Sequence, residues 1–152
     1  MTDSNLLLTT KESNENVYYL SKEGADRVGV DPIKKNIQIE HYLLRNEAWM
    51  ILNFPKWHVE APINLTIDGN KKSIIPDAQY VKDTLYCVEI DNKQRFIRNK
   101  QKIEMYKILA SMYERKHGKK IILQFFTKTH SRKQKIEELT GDLICEVYVI
   151  EY

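Results

Sequence analysis

The 152-residue chain reads as an α/β protein whose main domain has the element order αβββαβαβ, preceded by a hairpin and a short helix. Three observations predict that class. Apolar residues recur at helical spacing over 33–53 and again over 94–116. Between those helices lie three strand-like runs, 57–67, 73–81 and 85–91, punctuated by turn residues. Beyond the second helix, Ile121-Ile122-Leu123-Gln124-Phe125-Phe126 is almost wholly apolar, as befits a strand covered on both faces.

At the start, Leu6–Thr10 and Val17–Leu20 form the arms of a hairpin across a polar turn, and Ser21 caps a short helix containing Gly24. A lone hairpin with one helix buries too little to stand by itself, so residues 1–30 need the main domain or a second copy to pack on. A homodimer through this hairpin is therefore expected. Asp31-Pro32 breaks the chain, and residues 31–152 form the main domain. Its first helix buries Ile37, Leu44, Ala48 and neighbours, and carries His41 and Glu47.

Trp57 to Glu60 is a short strand, and Asp68-Gly69-Asn70 is a hairpin turn built from residues that tolerate positive φ. The return strand, 73–81, carries Pro76-Asp77 and should pair with 85–91 to complete a three-stranded meander. Side chains alternate along 85–91, so Leu85, Cys87, Glu89 and Asp91 share one side. Tyr86, Val88 and Ile90 share the other, an apolar side expected to meet the core. The long helix from about Gln94 to Lys116 buries Phe96, Ile97, Ile103, Tyr106, Ile108, Leu109 and Met112. A basic helix over 131–139 and a strand over 143–150 close the chain.

Apolar residues make up 42% of the chain and charged residues 30%, with no run of eighteen apolar residues to cross a membrane. The first residues lack the basic start and apolar stretch of a signal peptide. Cys87 and Cys145 fall in strands and read as small hydrophobes of a reducing compartment, so a cytoplasmic protein is expected. No glycine-rich phosphate loop, serine–histidine pairing or Cys/His zinc spacing occurs.

The chemistry concentrates between 74 and 106. Glu89 and Asp91 lie two residues apart on one strand face, with Asp77 on the neighbouring strand. Like charges so close raise one another's pKa unless a cation neutralises them. Mg²⁺ prefers carboxylate oxygens and is the ligand this trio suggests; acidic residues on a solvated sheet face are the plainer account. Net charge is only +3, but Lys and Arg crowd 93–135, where the sole acidic residues are Glu104 and Glu114. Arg95, Arg98, Lys100, Lys119, Lys120 and Arg132 are the candidate DNA contacts, since a basic half beside an acidic cluster suits a polyanion near a metal. A solvated lysine-rich surface would look the same.

The order of elements, with Pro76-Asp77 and Glu89 on successive strands, resembles the PD-(D/E)XK nuclease core. The resemblance implies that Asp77 and Glu89 bind Mg²⁺ and that a lysine two residues beyond Glu89 activates water. Asp91 stands in that lysine's place. Lys93, or Lys100 and Lys102 on the next helix, are the displaced candidates, and Lys102 is the one assigned here. Spaced motifs over 17–139 resemble the plasmid replication-relaxation family: VYYLSKEGADRVG, EHYLLRNE, Trp57 with Glu60, PDA, VEIDNKQR and the lysine and tyrosine of KIEMY. That family joins a winged helix to a nuclease-like domain, and its Glu-x-Asp form matches Glu89 and Asp91. The front of the winged helix, including its recognition helix, is missing here.

The resemblance implies catalytic Asp77, Glu89, Asp91 and Lys102, with His41, Glu47 and Glu60 as accessories. The expected function is DNA association in plasmid replication or relaxation, by binding. Mg-dependent DNA cleavage and a non-catalytic partner-binding role stand as the alternatives.

Overall fold

A computed structural model describes residues 6–12, 14–33, 38–92 and 96–151. The chain divides into two units, Met1–Tyr42 and Leu43–Tyr152. The division falls within a helix, between Tyr42 and Leu43. In the first unit, β1 (Leu7–Glu12) and β2 (Glu15–Leu20) form the expected antiparallel hairpin, with Leu7 opposite Leu20. Helix α1 (Lys22–Val28) follows, its Ser21 cap accepting a hydrogen bond from the Gly24 amide at 3.1 Å. Gly24 has a packing reason: a Cβ there would lie 2.2 Å from the Leu6 carbonyl oxygen. Leu7, Leu8 and Tyr18 of the hairpin are exposed.

Helix α2 (Ile39–Ile51) is shorter than the sequence suggests, and Ile37 lies outside the described residues. The second unit then contains β3 (His58–Val59), β4 (Ile63–Ile67), β5 (Asn70–Ile74), β6 (Ala78–Val81) and β7 (Leu85–Asp91). Helix α3 (Phe96–His117), β8 (Ile122–Thr127), α4 (His130–Thr140) and β9 (Ile144–Val149) complete it. The fold is mixed α/β, with four helices among the described residues. The main sheet has the order β3-β6-β7-β8-β9, antiparallel from β3 to β7 and parallel from β7 to β9.

The three-stranded meander needs correcting. The expected strand 73–81 is split into β5 and β6, because Pro76 has no N–H to donate to a continuing ladder. β4 and β5 therefore make a separate hairpin, closed by Asp68 and Gly69 at φ 50° and 77°, and β3 takes the place beside β6.

β7 is covered on both faces, not one. Val88 and Ile90 pack with Ala78, Phe126 and Ile150 beneath Leu44 and Ala48 of α2. Leu85 and Cys87 pack on the opposite face with Ile103, Tyr106 and Leu109 of α3, Ile136 of α4, and Leu65 and Ile74 of the small hairpin. The face carrying Glu89 and Asp91 is thus the face that α3 covers. Of the stripe expected on α3, Ile97 and Ile108 point outward, and Asn99 takes an inward position. The cysteines are free; Cys87 is buried and Cys145 half-buried, and burial pushes both thiols up to about 12. No described helix is long and apolar enough to cross a membrane.

Candidate carboxylate–lysine site

The site forms where β6, β7 and α3 meet. In the antiparallel pair Ala78 lies opposite Val88, so one further step brings Asp77 opposite Glu89. Directly opposed residues of antiparallel strands project to the same face. Asp77 stands at the β5–β6 break, where its Oδ2 accepts the Ile90 amide at 2.7 Å. Its own carbonyl accepts the Glu60 amide at 3.2 Å. Proline at 76 ends one strand and leaves the following carboxylate free of the ladder's geometry, so the Pro-Asp step shapes the site's rim.

Glu89 is 1% exposed. Lys102 Nζ donates to its Oε2 at 2.6 Å, and the Tyr106 hydroxyl donates to its Oε1. Burial pushes the Glu89 carboxyl up to about 8. Lys102 opposes that rise, Asp77 adds to it, and the two donated hydrogen bonds draw it back again. Loss of hydration outweighs the partners here, because a carboxylate without water needs more than two donors to recover its solvation. Desolvation, and after it the same carboxylate, hold the buried Tyr106 hydroxyl well above its ordinary value.

Asp91 lies two residues along the same face and has a different role. It is fully buried, and four donors converge on it. Asn99 Nδ2 and Arg132 donate to Oδ1 at 2.7 and 2.6 Å, and Thr127 Oγ1 and Arg132 Nε donate to Oδ2 at 2.9 and 2.6 Å. An ionised carboxylate offers about four acceptor sites, so the Asp91 set is full. The bidentate fork explains why Arg132 is raised above its ordinary pKa.

The structure thus brings Asp77, Glu89 and Lys102 together and binds Asp91 into an adjoining cluster. Glu60 is exposed at the rim and pairs with Arg45 of α2 at 3.0 Å. Glu47 is half-buried on α2, and His41 belongs to the first unit, edge-on to Tyr42. The basic candidates do not form one patch. Arg98 and Lys100 are exposed on the first turns of α3, whereas Lys119 and Lys120 lie beyond its other end, about 28 Å along the axis. Arg132 is engaged with Asp91, its side chain 28% exposed. Lys93 and Arg95 lie outside the described residues.

Asn99 and Thr127 were not among the expected site residues, and Tyr106 entered only as part of the buried stripe and of the KIEMY motif, with no role at the site. One signal was available: Asn99, Lys102 and Tyr106 follow i, i+3, i+7 spacing beside core-facing Ile103, which sets polar atoms on an inward face. Among the described residues, no group of three or more His, Cys, Asp or Glu side chains is placed to hold a metal ion. What is present is a pair, Asp77 and Glu89. Mg²⁺ commonly takes one or two protein carboxylates and fills its shell with water and phosphate oxygens, so a pair fits its chemistry.

No family model, curated protein or solved structure matches this chain. Fold and site define it on their own terms: a mixed α/β domain whose central strand presents a buried glutamate to a helix-borne lysine.

Proposed function

We propose that Leu43–Tyr152 is a nuclease-like domain of the PD-(D/E)XK type that cleaves DNA in a Mg²⁺-dependent reaction, in the service of a plasmid or related mobile element. The observation that carries this reading is the 2.6 Å contact between Lys102 Nζ and Glu89 Oε2. It supports a lysine supplied from α3 in place of the one missing at position 91. Asp77 and Glu89 would hold Mg²⁺, which when bound supplies Lewis acidity and lowers the pKa of its water. Lys102, half-exposed beside Glu89, would meet the charge that develops on a phosphate oxygen. Arg98 and Lys100 lie toward the α3 end near the site and would track the DNA backbone.

DNA binding without hydrolysis is the second reading. It is favoured by the deep burial of Glu89, whose two oxygens already receive Lys102 and Tyr106. Plasmid nicking in Mg²⁺ or Mn²⁺, with Asp77→Ala and Lys102→Met beside wild type, separates the two. Cleavage that falls at least about 100-fold in both variants, while gel-shift affinity persists, supports hydrolysis. Equal nicking in wild type and Asp77→Ala refutes the site. Binding with no nicking in wild type leaves the second reading.

A further inference from the structure

We propose that Asp91 and Asn99 are a positioning pair that sets the rotation and axial register of α3 against β7, and so delivers Lys102 to Glu89. The inference rests on the reading of Lys102 as the lysine of the site. Asp91 was expected among the metal ligands, yet its four acceptor sites are all filled by Asn99, Thr127 and Arg132. What it does instead is join four elements at one buried point: β7, α3 through Asn99, β8 through Thr127, and α4 through Arg132.

The spacing on the two elements matches. From Glu89 to Asp91 is two residues of strand, about 6.6 Å. On α3, Asn99 lies five residues from the midpoint of Lys102 and Tyr106, about 7.5 Å of helix rise. Thus Asn99 meets Asp91 where Lys102 and Tyr106 meet Glu89. A slip of one residue would turn α3 by about 100° and carry Lys102 off the strand. Apolar packing of Ile103 and Leu109 favours burial of that face, but the hydrophobic attraction itself is nearly non-directional. A hydrogen bond between two fully buried groups is directional and costly to leave unmade. The Asp91–Arg132 fork fixes the acceptor, and Asn99 reads its position.

The test follows Lys102 itself. Wild type, Asn99→Ala and Asp91→Ala are treated with an amine-acylating reagent, N-hydroxysuccinimidyl acetate. Modification of Lys102 is then compared with that of Lys107 by peptide mass spectrometry. Lys107 is on the same helix and ion-paired with Glu104, so it reports general changes in α3. Lys102 should react slowly in wild type and roughly fivefold faster in Asn99→Ala, with Lys107 unchanged. Asn99→Ala keeps the Asp91–Arg132 fork, so it decides the matter where Asp91→Ala does not fold. Folded variants whose Lys102 stays as protected as in wild type overturn the proposal, and so does a Lys102 that already reacts as fast as Lys107 in wild type. Where cleavage is measurable, Asn99→Ala should lower kcat and leave KM in place, whereas a purely structural loss would lower the amount of active protein. Absence of cleavage in wild type removes the nuclease reading without touching the labelling result.

Discussion

Glu89→Gln tests the electrostatics of the site without reference to any activity. In the folded protein, burial pushes the Glu89 carboxyl from 4.5 up to about 8. An acid raised in this way keeps its proton when folded at pH values where the unfolded chain has released it. Stability therefore falls as pH climbs between those two values, and levels off above the higher one. Between pH 5 and pH 8 the linkage comes to about 3 to 4 kcal/mol. The group is almost completely buried, so solvent screening takes little from that figure. The assay is urea unfolding of metal-free protein at pH 5, 6, 7 and 8, followed by tryptophan fluorescence from Trp49 and Trp57. Glutamine does not titrate, and the remaining groups contribute alike to both proteins, so the informative quantity is wild type minus Glu89→Gln. That difference should move against wild type by about 3 to 4 kcal/mol across the range. Two curves that run parallel within about 1 kcal/mol would refute the argument that burial controls this carboxyl.

Two further expectations concern packing. Gly24→Ala places a methyl against the Leu6 carbonyl and should weaken the hairpin–helix junction by about 1–3 kcal/mol, read as faster amide exchange across β1 and β2; unchanged exchange would contradict that contact. Leu44→Ala empties a fully buried position between α2 and the sheet and should cost about 2–5 kcal/mol in denaturant unfolding, whereas a loss below about 1 kcal/mol would mean that α2 does not cover that face.

The elements of this fold were legible wherever the pattern was local. The Asp68-Gly69 turn, the Ser21 cap and the apolar run of β8 all follow from residue types within a few positions of one another. The two hairpins and the pairing of the 73–81 run with β7 follow the expectation, but the split of that run and the strand that flanks it are not local and were missed. Nothing near Trp57 announces that His58–Val59, rather than Ile63–Ile67, lies beside β6. That choice follows from Pro76 interrupting the ladder and from the apolar residues Leu65 and Ile74 joining the α3 core. Alternation along β7 sorted its side chains correctly, but it could not say that both sides would be covered. For that reason Glu89 and Asp91 looked like neighbours at one solvent-facing site. Their separation into two clusters depends on Arg132, 41 residues beyond Asp91, and on a helix rotation that sequence spacing only hints at.

The polar links around β7 also bear on the order in which the chain acquires its structure. Glu89 finds both of its donors on α3, within 17 residues, so β7 and α3 can satisfy it as soon as they dock. Asp91 cannot be satisfied so early. Thr127 and Arg132 lie 36 and 41 residues downstream, and each closes a longer loop at an entropic cost that must be met before the contact forms. A nascent chain that has reached only His117 holds Asp91 against Asn99 alone, with its charge still uncompensated. Closure of that cluster therefore marks the arrival of β8 and α4. The hydrogen-bond set of Asp91, next to the candidate site, is complete only once β8 and α4 are in place.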